Sequence, residues 1–335
     1  MNFFDDSFKV IAEIGCNHEG SFEKAVALTH LALDAGAEVI KYQSYTPERY
    51  IAANQVERLQ RVTQFALTQE NYLALYEIVK KHGSIFLSTP MTEDWVEFLN
   101  PLCAAIKIAS GDITFRPVIA AAAQTGKPII LSTGAATIDE IDRAVQWVAA
   151  EIMPAKLTDR LILMHCVSAY PTPIAEANML SIPFLRKRYH VHVGYSNHVI
   201  GMNACLAAVS LGATLIEVHF TDQKEGRSFR DHSLSFDAND LRRFIQSAKE
   251  IHSSLGKYGK SVQACERANI PLMRKGIIAA SPIQAGELLT VRNLMYARPA
   301  DEFSAMEISA LLGKCLNRNI PKGHPIPKDA VICVA

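Results

Sequence analysis

The chain has no apolar run approaching the ~18–20 residues that cross a bilayer, and neither sign of charge is in excess, since 34 Lys and Arg balance 34 Asp and Glu. The first absence argues against a membrane-spanning helix. The second removes the electrostatic footprint of a protein that binds nucleic acid or an anionic membrane surface. The seven cysteines are odd in number and scattered, with no Cys-x-x-Cys pair. That pattern fits reduced thiols in a cytoplasm better than a disulfide framework, and it disfavours a cysteine zinc site. The opening MNFFDDSFK is acidic, unlike the start of a secretory signal. There is no internal repeat and no low-complexity tract, which leaves a globular chain of one large domain or two.

What recurs instead is a short apolar run followed by a helix-like segment. The runs are KVIAEIG (9–15), VIKYQSY (39–45), SIFLSTP (84–90), AIKIAS (105–110), PIILSTG (128–134), LILMHCV (161–167), HVGYSNH (192–198) and LIEVHFT (215–221). Each is too short for a helix and most are rich in Val or Ile, the pattern of βα units in a parallel sheet. Eight units over about 220 residues match a TIM (β/α)8 barrel. Helix punctuation agrees: Ser21 and Gly36 bracket the first helix, Thr137 opens a later one, and Gly126 and Gly212 end others. The insertion 46–67 predicts a loop plus part of a helix over the barrel mouth, and the polar stretch 222–233 predicts a loop after the eighth strand. The barrel is expected over 1–255 and a linker over 256–275. Residues 276–335 read as a small, mostly-β domain with one helix at AMEISALLG. At about 60 residues its core is marginal, so it should pack on another surface.

The C-terminal halves of the runs carry Glu13, Lys41, Gln43, Thr89, Lys107, Ser110, Ser132, Thr133, His165, Ser196, His198 and His219. In a closed barrel these ends meet on one face, where TIM-barrel active sites lie. Ionisable groups there are costly unless they meet partners, water or ligand, which points to an enzyme. His198 and His219 end neighbouring strands. With Glu13 across the closure and Asp231 on the following loop, they could hold a divalent cation, or could merely be hydrogen-bonded at the rim. Lys41, Lys107, Ser110, Ser132, Thr133 and Ser196 offer positive charge and donors suited to a phosphate or carboxylate. Lys107 could alternatively form a Schiff base, or a lysine could snorkel past the rim. His165 and Cys166 point to opposite faces and cannot form one site. Cys166 and Cys16 read as packing residues.

EIGCNHEG (13–20), KYQSY (41–45), KIASGDI (107–113), GKPIILSTG (126–134), HCVSAYPTP (165–173), GYSNH (194–198) and EVHFT (217–221) together resemble the sialic acid synthase family, in that family's order and across the whole barrel. The tail GIIAASPIQAGELLTVRNLMYARP resembles its C-terminal antifreeze-like (SAF) domain. The resemblance implies a metal-dependent condensation of phosphoenolpyruvate with an open-chain N-acetylated aminosugar, giving a nine-carbon 2-keto-3-deoxy acid and phosphate. His198 and His219 would ligate Mn²⁺ or Mg²⁺, and Glu13 and Asp231 would orient metal-bound water and the sugar. Lys41, Gln43, Lys107, Ser110, Ser132, Ser196 and Tyr170 would surround phosphoenolpyruvate. Glu13, Lys41, Lys107 and Asp231 stand as the catalytic candidates, and Thr89 and Thr133 join the substrate-binding set. Arg298, in ARP, would reach across a domain-swapped homodimer to the acetamido group.

Four positions depart from the family pattern. Ser168 stands where Asn is frequent, and so bears on a contact to phosphoenolpyruvate. Asp112 replaces a Glu that would face the sugar. Asn197 replaces an Asp, and the loop after Arg298 reads PADEFS without the usual glycines. Asp112 and PADEFS favour an acceptor other than N-acetylmannosamine. A non-catalytic carbohydrate-binding protein is the remaining alternative.

Overall fold

In the computed structural model, which describes residues 3–4, 8–152, 154–227 and 229–333, eight parallel strands wrap into a nearly closed barrel. They are β1 (Lys9–Gly15), β2 (Val39–Ser44), β3 (Ile85–Pro90), β4 (Ile106–Ile108), β5 (Ile129–Ser132), β6 (Leu161–His165), β7 (His192–Asn197) and β8 (Leu215–His219). Each falls within its predicted run. The sheet order is β3-β2-β1-β8-β7-β6-β5-β4. β3 and β4, at the two ends of that order, pack side by side, and β4 is only three residues long. Most of the N-terminal stretch read as unlike a signal (1–2 and 5–7), and residue 228 in the loop after β8, lie outside the described residues.

The helices between strands are α1 (Phe22–Asp34), α2 (Pro47–Tyr50), α3 (Val56–Phe65), α4 (Gln69–Lys81), α5 (Asp94–Leu99), α6 (Arg116–Gln124), α7 (Ile138–Glu151), α8 (Ser181–Tyr189), α9 (Asn203–Ser210), α10 (Asp231–Leu234) and α11 (Ala238–Leu255). Ser21 caps α1 by accepting from Lys24 N, and Thr137 with Glu140 forms a capping box on α7. Gly36 follows α1 at φ +94, the left-handed stop expected of it. The 46–67 insertion is more helical than predicted, because Pro47 starts α2 and a ten-residue amphipathic stretch forms α3. No helix among the described residues is long and apolar enough to cross a membrane.

The strands are buried almost throughout, and their side chains join the inner faces of the helices in one apolar cluster. Register then sets the chemistry. Glu13 pairs with Lys41 on β2 and His219 on β8, Gln43 pairs with Thr89, and Ser196 pairs with Glu217. Polar groups that are distant in sequence become neighbours at the C-terminal ends of the strands.

The chain divides into compact units Met1–Gly256 and Lys257–Ala335. Within the second, residues expected as a linker form a 3₁₀ turn (Ala264–Asn269) and α12 (Ile270–Met273). Two small antiparallel sheets follow, β9 (Gly276–Ala279) with β10 (Leu294–Ala297) and β11 (Cys315–Leu316) with β12 (Val331–Ile332). The expected helix is α13 (Ile308–Leu311). A core of Ile277, Ile283, Leu289, Leu316 and Ile326 holds this unit together. No residue of the PADEFS loop has a positive φ.

Candidate active site

A cavity of about 1020 Å³ opens at the C-terminal ends of the barrel strands. At its floor lies a buried cluster of lysines and carboxylates. Lys41 Nζ is 2.7 Å from Glu13 Oε2 and 3.7 Å from Glu217 Oε2, and donates to Thr89 Oγ1 at 3.2 Å. Lys107 Nζ donates to Ser132 Oγ at 2.6 Å, Ser196 Oγ to Glu217 Oε1 at 3.0 Å, and Gln43 Nε2 to Glu13 Oε1 at 2.9 Å. Burial alone would depress the Lys41 pKa, but Glu13 and Glu217 outweigh it and raise the pKa above the ordinary lysine value. For Lys107 burial wins, and its pKa falls. Burial would lift Glu217, yet Lys107 and Lys41 pull it below the usual carboxylate range.

Beside this floor stand the two imidazoles. His198 lies 2.6 Å from Val167 O through Nδ1, and burial with the neighbouring His219 pushes its pKa down to about 3. It is therefore neutral at pH 7, its proton sits on Nδ1, and Nε2 keeps a free lone pair. His219 Nδ1 is buried with no hydrogen-bond partner, 3.9 Å from Asp231 Oδ2. The two rings are 5.5 Å apart, and Tyr170 lies 4.1 Å from the His198 ring with the Arg230 guanidinium 4.7 Å above the tyrosine. Among the described residues no three His, Cys, Asp or Glu groups converge into a complete metal site. The donor set is a pair of imidazole nitrogens, one of them orphaned. That pair fits a divalent ion taking its other ligands from water and substrate.

Of the residues singled out from sequence, Glu13, Lys41, Gln43, Thr89, Lys107, Ser110, Asp112, Ser132, Ser168, Tyr170, Ser196, His198, His219 and Asp231 all line this cavity. Thr133 does not. It follows Ser132 and points the other way, into a neighbouring groove, where its hydroxyl donates to Met164 O at 3.0 Å. Arg298 follows β10, exposed, in the second unit. Cys16 and Cys166, read as packing residues, do edge the cavity. Burial keeps both thiols protonated, that of Cys16 up at about 12. Gly134 makes room for three of the lining residues. A Cβ there would lie 2.3 Å from Ser168 Oγ and 2.9 Å from both Cys166 Sγ and Ser110 Oγ.

Several lining residues escaped the sequence reading. Glu217 lies two residues before His219 on β8, so strand alternation alone puts it on the same face. Arg58, Arg61, Val62 and Phe65 line the cavity from α3 at i, i+3, i+4 and i+7, one helical face. Phe65 meets Phe229 of the loop after β8 edge-on at 5.3 Å.

The fold and this cavity define a TIM-barrel protein with a polar, ionisable pocket at the strand ends, followed by a small β domain. The chain belongs to the NeuB family, whose profile matches residues 28–260, and a SAF domain matches residues 274–332. It is 36% identical to an uncharacterised protein of Methanocaldococcus jannaschii, over 91% of this chain and 89% of that protein. It is 35% identical to the N,N'-diacetyllegionaminic acid synthase of Campylobacter jejuni, over 92% and 96%. Among solved structures, the N-acetylneuraminic acid synthetase of Leptospira borgpetersenii superposes with a TM-score of 0.73 at 32% identity, covering 79% of this chain and 90% of that one.

Proposed function

We propose that the protein condenses phosphoenolpyruvate with an open-chain N-acetylated aminosugar, N-acetylmannosamine or a diacetamido hexose, to give a nine-carbon 2-keto-3-deoxy sugar acid and phosphate. The observation that carries this reading is one cavity holding buried Lys41 and Lys107 with Thr89, Ser132 and Ser196 beside the His198–His219 pair. A divalent ion, Mn²⁺ or Mg²⁺, held by His198 and His219, would supply Lewis acidity at the aldehyde oxygen.

The chain's own groups do the rest. Lys41 and Lys107 meet the phosphate and carboxylate of phosphoenolpyruvate, and the hydroxyls of Thr89, Ser132, Ser196 and Ser110 add donors without reorganising. Gln43, Ser168 and Tyr170 complete that enclosure. The enol carbon C3 attacks the sugar's C1, forming the carbon–carbon bond, and the former aldehyde oxygen takes a proton. Water adds at C2 and loses a proton, and phosphate departs as the ketone forms. Glu13 and Asp231 flank this region as the groups that orient water and hold protons. Asp112 and α3 border the remote end of the acceptor. The 35% identity to a diacetyllegionaminic acid synthase supports a diacetamido acceptor. Arg298 would bind the acetamido group across a domain-swapped homodimer.

The assay supplies phosphoenolpyruvate, Mn²⁺ and a panel of acetamido hexoses, and reads phosphate and 2-keto-3-deoxy acid. Turnover with at least one acceptor is expected, and none with any would sink the reading. The lowered pKa of buried Lys107 favours a second reading, a Schiff-base aldolase. Borohydride with pyruvate separates the two, because only that route leaves an adduct on Lys107.

A further inference from the structure

The loop that brings Asp231 and Arg230 to the cavity is tied down by a side chain to which the proposed chemistry gives no part. Glu19, in the turn between β1 and α1, sits at φ +52, a left-handed conformation that glutamate seldom adopts. Its carboxylate reaches the loop after β8. Oε2 is ion-paired with Lys24 and lies 3.6 Å from Arg227 Nη1, and Oε1 lies 3.8 Å from Nε2 of His232. His232 is fully buried, and that Nε2 has no hydrogen-bond partner.

Both contacts lead deeper into the loop. Arg227 Nη2 donates to Asp222 Oδ2 at 2.7 Å, and His232 Nδ1 lies 2.7 Å from Thr221 Oγ1. The ends of the segment have their own anchor, because Asn17 Nδ2 donates to Phe220 O at 2.8 Å and Ser235 Oγ at 3.0 Å. Glu19 acts on the stretch between those ends. An isolated exposed ion pair would contribute little. This carboxylate is only 26% exposed and lies between two cations, Lys24 of α1 and Arg227 of the loop, with the buried His232, whose pKa burial lowers, on its other oxygen, so the Arg227 pair is less screened than an exposed one.

We propose that Glu19 is a positioning residue, a clamp that holds residues 222–227 and 229–233 against the β1–α1 turn so that Asp231 and Arg230 face the acceptor. Its kinetic consequence rests on the synthase reading; the clamp itself does not. The strained backbone is consistent with a side chain kept for function at a local cost.

The experiment compares wild type with Glu19→Asn. Asparagine tolerates the left-handed region, so the fold is kept while the charge and reach are lost. Amide hydrogen exchange in 222–233 should quicken by about fivefold, the loss of a partly exposed ion pair, with protection elsewhere unchanged. The acceptor KM should rise while the phosphoenolpyruvate KM stays put, because the lysines and hydroxyls assigned to that substrate lie outside this loop. Arg227→Met should reproduce both effects, and the double variant should be no worse than the worse single. Unchanged exchange in 222–233 overturns the clamp. Faster exchange with an unchanged acceptor KM overturns its positioning role. Failure of the wild type to turn over any acceptor counts against the synthase reading alone, and the exchange data still decide the clamp.

Discussion

His198 and His219 show how much one nitrogen can determine. The Val167 carbonyl fixes the His198 tautomer, while His219 Nδ1 is left buried and unpartnered. His198→Ala or His219→Ala should lower kcat/KM by at least about a thousandfold, since the polarising ion would lose a ligand. Circular dichroism should be unchanged. Near-normal turnover of either variant in metal-supplemented protein would mean the pair is misassigned. Asp112 makes a separate prediction. Burial raises its pKa to about 6, with Lys107 pulling weakly the other way, and its Oδ2 has no partner. A carboxyl whose folded pKa lies above the unfolded ~3.9 stabilises the fold fully below that value and loses the contribution as pH rises through about 6. Asp112→Asn should therefore match wild type near pH 4 and exceed it near pH 8 by up to about 3 kcal/mol. Denaturant melts at both pH values test the sign, and an equal gap at the two would refute it.

Among the elements, α3 turns a barrel opening into a walled cavity. Its seat on the β1–α1 turn depends on Gly20, where an added Cβ would lie 2.1 Å from Gln64 O of the helix. Tyr45 OH donates to Val62 O at 3.2 Å and helps hold the same helix. Gly20→Ala should destabilise the protein by about 1–3 kcal/mol and raise the acceptor KM as Arg58 and Arg61 shift. Gly83→Ala is the control, because Gly83 has a similar positive φ but nothing within 4 Å of the added carbon. If Gly20→Ala is no more harmful than Gly83→Ala in melting temperature and KM, α3 does not depend on that contact. The barrel strands, by contrast, were legible from the local pattern of the sequence. Short runs of Val and Ile between helix caps admit little else.

For the molecule as a whole, the question is whether the active unit is one chain or two. The second unit has its own small core, and the proposed domain-swapped homodimer would give Arg298 a task in a partner's barrel. Arg298→Ala and His198→Ala should each be nearly inactive. Co-refolded, they should regain part of the wild-type rate, because one barrel of a mixed dimer recovers both groups. Absence of rescue, with wild-type controls recovering, would show that Arg298 does not act in trans.

The sequence by itself determined the eight strands, the face on which their polar ends meet, and the small β domain, since period, caps and glycine stops are local properties of the chain. It also marked most of the cavity, because strand-end residues of a barrel converge whatever the loops do. Only the tertiary structure decided that Glu217 pairs with Lys41 and that α3 walls the cavity. Those outcomes depend on register and on contacts between segments tens to hundreds of residues apart. Lys41 and Glu217 meet only because β1 lies between β2 and β8, an order set by barrel closure and written in no local stretch of sequence.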